Sequence, residues 1–159
     1  MKKYQHIMVW PALLVIVLDQ ISKMAVIQLL KEHESLTIIN GFFNLVHVRN
    51  RGIAFGLMSR SDSGLIIYFL LAASLTAVIL LLFWLFRLKE NETGIAVGLS
   101  MILGGAIGNI IDRLRFREVI DFLDFYTGSY HWPAFNLADS AITTGALWLA
   151  VNLVFQHEK

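Results

Sequence analysis

The stretch LIIYFLLAASLTAVILLLFWLF, residues 65–86, decides the fold, because it holds no charged side chain and as a helix is long enough to cross the hydrocarbon core of a bilayer. Three other segments, 7–30, 94–111 and 138–155, approach the ~20 mostly apolar residues that a span needs. The last two are short and cross by tilt or local thinning. Composition points the same way: 57% of the 159 residues are hydrophobic, only 16% are charged, and mean hydropathy is +0.64. The expected fold class is an all-α polytopic membrane protein with four transmembrane helices in one domain, residues 1–159. Lys2 and Lys3 precede the first span as in a signal peptide. That run exceeds an apolar leader core and lacks a small-residue cleavage site, so it is read as retained.

Four spans place both termini on one side, together with the tight turn 87–93. The long connections 31–64 and 112–137 share the other side. A bare count of positive charges puts that side in the cytoplasm, since it carries Lys31, Arg49, Arg51, Arg60, Arg113, Arg115 and Arg117. Several of these arginines stand beside acids, which weakens the count. Within the first connection, Leu36-Thr37-Ile38-Ile39 and Phe42-Phe43-Asn44-Leu45-Val46-His47-Val48 are β-branched and aromatic, and Asn40-Gly41 between them signals a hairpin. A small sheet lying on the membrane surface, within 36–56, is therefore expected. The glycines at 94, 98, 104, 105 and 108 pack helices closely and do not form a phosphate loop.

Polar residues converge on the side of the long connections. Asp19 and Lys23 share a face of the first helix, Asn109 and Asp112 close the third, Asp121 follows, and Asn136 with Asp139 opens the fourth. Carboxylates beside hydrocarbon lose hydration and must pair, protonate or serve a function. Asp19 with Lys23 reads equally well as a structural ion pair. Arg113 is a ready partner for an acid, Asp112 in particular. Asp124 is expected to be a solvated neighbour.

Several chemistries drop out. A net charge of +1 with scattered basic residues gives no nucleic-acid surface. Without cysteine there is no disulfide, thiolate nucleophile or thiolate-held metal. The five histidines, His6, His33, His47, His131 and His157, form no His-Glu-x-x-His arrangement and are expected at the solvated surface. Ser22 and Lys23 are adjacent and project apart on a helix. What remains is the pair Asp121 and Asp139, in which one carboxylate activates water and the other, protonated, polarises a carbonyl. A proton-coupled transporter using Asp19, Asp112 and Asp139 is the rival, though no internal repeat supports it. A subunit without activity leaves the convergence unexplained.

Asp19-Gln20-Ile21-Ser22-Lys23, Asn50-Arg51-Gly52-Ile53-Ala54-Phe55, Gly104 through Arg113, Val119-Ile120-Asp121-Phe122 and Phe135-Asn136-Leu137-Ala138-Asp139 together resemble, in order, the blocks of the lipoprotein signal peptidases, or type II signal peptidases. The resemblance implies a bacterial inner-membrane enzyme with cytoplasmic termini, an extracytoplasmic sheet and an active site at the outer face, against the charge count. It implies an aspartic endopeptidase with the dyad Asp121 and Asp139, cutting on the amino side of a diacylglyceryl-modified cysteine in prolipoproteins. No metal or organic cofactor is implied. Asn109, Asp112, Arg113 and Asn136 are implied to support the dyad, Asp19 and Lys23 to brace it, and Asn50 with Gly52 to lie near substrate. Membrane lipid as surroundings and globomycin as inhibitor belong to the same implication.

Overall fold

The computed structural model describes residues 5–51 and 65–156, with side chains from 9 to 51 and from 65 to 155. Gly52 and the rest of the glycine-bearing return to residue 56 lie outside the described residues, as do Arg60 and the side chains of His6 and His157. Four helices, α1 (Gln5–Leu29), α2 (Leu65–Arg87), α3 (Thr93–Phe116) and α4 (Leu137–Gln156), are long and apolar enough to cross a membrane. Helix α3 is central, packed against the other three, and much of it is buried. Helix α2 buries only Leu70 and Leu85, so its remaining apolar surface has lipid as its natural solvent.

Glycine makes the central position possible. A Cβ at Gly98 would stand 3.0 Å from the Gly145 carbonyl oxygen of α4, and one at Gly104 would stand 2.7 Å from the Ala12 carbonyl oxygen of α1. Backbones thus meet with no side chain between them, as membrane helices do when no water is available to drive association. At Gly108 the intruder would be the Asp19 carboxylate, 2.6 Å away. That missing methyl lets a charged group from α1 lie against the α3 backbone.

The long connections meet in a single antiparallel sheet, which puts them at one end of the bundle. Strands β1 (Ser35–Ile39) and β2 (Phe43–Asn50) form the expected hairpin, and Gly41 takes the left-handed φ of +79° in its turn. The sheet also takes in β3 (Val119–Thr127) and the short β4 (Tyr130–His131), in the order β1-β2-β3-β4. Val48 pairs with Asp121, and Asn44 with Asp124. Phe122 seats the sheet on the bundle against Val26 of α1 and Leu30 just past its end.

The third helix outruns the expected 94–111, continuing through Asp112, Arg113 and Arg115 to Phe116. Hydropathy marks where hydrocarbon ends, whereas the helical hydrogen bonds continue into the polar region. Arg117 stops it in the left-handed conformation, φ +61°, with its N–H donating to the Arg113 carbonyl at 3.0 Å. Val119 then begins β3, so Asp121 returns over the end of the helix that carries Asn109 and Asp112.

Candidate active site

The floor of the site is a buried ion cluster. Lys23 Nζ lies 2.8 Å from Asp19 Oδ2, one helical turn away, and 2.7 Å from Asp112 Oδ2 on α3. All three side chains are almost inaccessible, which is tolerable only because each charge has partners. Gln20 Nε2 donates to Asp112 Oδ1 at 2.9 Å, the Ile120 N–H to Asp112 Oδ2 at 3.2 Å, and the Ala138 N–H to Asp19 Oδ1 at 2.9 Å. The cluster therefore ties α1 to α3, to the start of β3 and to the first turn of α4. Asp112 pairs with Lys23, not with Arg113 as the sequence leads one to expect. Neighbours in a helix diverge by about 100°, which carries Arg113 off the Asp112 face and into the cavity wall.

Above the floor, Asn136 and Asp139 cap α4 reciprocally. The Asp139 N–H donates to Asn136 Oδ1 at 2.9 Å, and the Asn136 N–H to Asp139 Oδ2 at 3.3 Å, in the manner of a capping box. A backbone N–H cannot accept, so Asn136 is bound to turn its NH₂ the other way, and it donates to Asp121 Oδ1 at 2.7 Å. Asn50 Nδ2 donates to Asp121 Oδ2 at 3.0 Å, and Asn109 Nδ2 to Asp139 Oδ1 at 2.9 Å. Asp121 and Asp139 thus flank Asn136, and every one of their oxygens accepts a donor. Burial, and after it the negative charge of Asp139, push the Asp121 carboxyl up to about 7 from an ordinary 3.8, against the opposing hydrogen bonds of Asn50 and Asn136.

Both carboxylates line a cavity of ≈ 1040 Å³, at the top of the range for small-molecule sites and suited to a large ligand. Its wall is polar at Asn50, Asn109 and Arg113, and apolar at Leu70, Phe135 and Ile142. Leu70 belongs to α2 and Ile142 to α4, helices that each pack on α3 yet make almost no contact with each other. Both of these separated helices contribute to the cavity lining.

The signal peptidase (SPase) II family matches residues 11–155. The chain belongs to the signal peptidase II family. It is 44% identical over 159 residues to a lipoprotein signal peptidase of Syntrophus aciditrophicus (strain SB), covering 100% of this chain and 99% of the relative. It is 47% identical over 144 residues to a lipoprotein signal peptidase of Desulforapulum autotrophicum, covering 89% and 88% of the two chains. A bacterial membrane enzyme solved by the in meso method at 2.3 Å resolution superimposes with a TM-score of 0.82 at 30% identity, over 93% of this chain and 87% of that one.

In this signal peptidase II chain, Asp19, Lys23, Asn50, Asn109, Asp112, Asn136, Asp121 and Asp139 form one connected network, and Arg113 faces the same cavity. Asp124 departs from expectation: it is buried, accepting from Asn44 Nδ2 at 2.9 Å and from His131 Nδ1 at 2.9 Å. The sheet covers it, and a sequence read without β3 has no sheet there. His47 is likewise buried, its Nδ1–H donating to the Leu30 carbonyl at 3.0 Å. Two contributors were not singled out by sequence. Gln20 bridges the buried carboxylates, and its position beside Asp19 on an apolar helix was the available signal. Glu118, a buried residue of the cavity lining, binds Arg51 Nε at 2.5 Å and lies 3.6 Å from Arg49 Nη1.

Proposed function

We propose that this signal peptidase II family protein removes the signal peptides of diacylglyceryl-modified prolipoproteins by aspartic chemistry, cutting on the amino side of the lipidated cysteine. The observation that carries the reading is the pair Asp121 and Asp139, on different elements, held on either side of Asn136 and opening onto one cavity. Two close carboxylates share a proton, and burial together with the charge of Asp139 favours its residence on Asp121, raised to about 7. Asp139 takes a proton from water as the water oxygen attacks the scissile carbonyl carbon, while Asp121 gives its proton to the carbonyl oxygen. Collapse of the resulting diol returns a proton to Asp121 and delivers one to the departing cysteine amine, leaving a new carboxyl end on the signal peptide.

The separation of α2 from α4 supports a substrate that arrives through the bilayer. A signal peptide is an apolar helix and a diacylglyceryl group lives among lipid tails, so a cavity flanked by lipid-facing helices takes both sideways. Water has to reach the carboxylates, which supports a site at the sheet end of the bundle instead of mid-span. On this reading the sheet lies outside a bacterial inner membrane, both termini are cytoplasmic, membrane lipid surrounds the spans, and globomycin blocks the same cavity. Asn50 lies along the substrate, while Arg113 faces the developing charge from the wall. Incubation of purified protein with a lipidated precursor and with its unlipidated form tests the proposal: cleavage of the first alone is expected, and no cleavage of either refutes it.

A further inference from the structure

We propose that Lys23 is a positioning residue for Asp139, acting through the side-chain amide of Asn109. The inference rests on the dyad reading, and adds to it the origin of the water-activating carboxylate's strongest donor. Lys23 Nζ is buried, and its third partner besides Asp19 and Asp112 is Asn109 Oδ1 at 3.0 Å. An ammonium only donates, so Asn109 must turn its carbonyl oxygen towards Lys23. The amide then has only its NH₂ for the opposite side, where it donates to Asp139 Oδ1 at 2.9 Å, closer than the 3.3 Å N–H of Asn136 on Oδ2.

Without Lys23, little holds the amide that way round. The remaining donor to Asn109 Oδ1, Asn136 Nδ2, is 3.4 Å away and its hydrogens already serve Asp121 Oδ1 at 2.7 Å and the Ile120 carbonyl at 3.2 Å. A flipped Asn109 would set a carbonyl oxygen against the Asp139 carboxylate, where two acceptors repel unless the acid takes up a proton. Among the described residues, the charged and titratable groups around Asp139 are Asp121 at β3, Asp112 and Arg113 on α3, Asp19 and Lys23 on α1, and Glu32, His33, Arg49, Arg51 and Glu118 elsewhere in the cavity lining. Lys23 is the one among them that touches Asn109 Oδ1.

The test compares Asp112→Asn with the double variant Lys23→Met/Asp112→Asn in the full chain, using a diacylglyceryl-cysteine peptide as substrate. The single variant keeps Lys23 between Asp19 and Asn109. The double removes it while restoring the wild-type net charge of the cluster. Relative to the single variant, the double is expected to lose about tenfold or more in kcat with KM nearly unchanged, because a hydrogen bond to a charged group is lost. Its acidic pH limb moves to higher pH, since the amide no longer favours the ionised acid. Adding Asn109→Ala should abolish the difference between the two. Identical kcat and acidic limbs in single and double, or an equal Lys23 effect with and without Asn109, overturns the proposal. Should the double fail to fold, Asn109→Asp keeps an acceptor for Lys23 but removes the donor to Asp139. The same kcat loss and limb shift support the relay, and a wild-type profile overturns it. Asp139→Asn measured alongside separates the two readings: turnover there sinks the dyad and the relay with it, whereas an inactive Asp139→Asn beside unshifted Lys23 variants sinks the relay alone.

Discussion

At Asp121 the fold favours the protonated carboxyl, and a pH dependence follows from the sign of that preference. The folded value of about 7 exceeds the ordinary 3.8, so the associated stability is full below about pH 4 and is lost as pH rises through about 7. Asp121→Asn removes this loss. Thermal unfolding is expected to show the variant gaining on wild type between pH 5 and pH 8, and parallel curves would contradict an Asp121 carboxyl raised by burial. Cleavage itself should decline above about pH 7, where the pair loses its shared proton. Asp124 answers a different question, because its partners Asn44 and His131 lie in the sheet and not in the cavity wall. Asp124→Asn should lower stability by about 1 to 3 kcal/mol, the usual cost of disturbing a buried hydrogen-bonded acid, while kcat of the folded protein stays near wild type. A large kcat loss at unchanged melting temperature would place Asp124 in the chemistry.

At the scale of the elements, legibility tracked the physical signal each one carries. The spans were readable because hydrocarbon demands a long uncharged run, and the β1–β2 hairpin because Asn40-Gly41 sits between β-branched stretches. Strand β3 was not, since its buried positions hold Asp121 and Asp124 among the apolar residues, and periodicity cannot separate a buried acid from a surface one. The candidates Asp19, Asp112, Asp121, Asn136 and Asp139 still draw notice in the sequence, because acids and amides at span ends are rare enough to stand out one by one, whereas Asn50 enters only through the family resemblance. Their pairing stayed hidden: Asp112 with Lys23 depends on α1 and α3 crossing at Gly104 and Gly108, which is a tertiary fact. That crossing is testable. Gly104→Leu or Gly98→Leu should cut folded yield, since overpacking typically costs about 1 to 3 kcal/mol, and wild-type melting in both would contradict backbone contact there. Arg117→Gly relieves a non-glycine residue at φ +61° and should raise stability by up to about 1 kcal/mol without affecting turnover.

For the whole molecule, the sheet joins both long connections at one end of four spans, and the ion cluster holds α1, α3, β3 and α4 in register beneath it. The proposed orientation runs against the bare charge count, and on that proposal Arg49 and Arg51, engaged by Glu32 and Glu118, do not act as free topogenic charges. Reporters at residue 159 or within 87–93 are expected in the cytoplasm, and tags near Glu34 or Ser129 outside; a cytoplasmic Ser129 would reverse the proposed orientation. The central claim is the pair of carboxylates, and turnover of a lipidated precursor by Asp121→Asn and Asp139→Asn tests it most directly. Each variant should insert and fold but lose at least about 10² to 10⁴-fold in cleavage, with the double variant little worse than either single. Substantial cleavage by well-folded Asp121→Asn would contradict the account and shift the chemistry to Asp112 with Asp139.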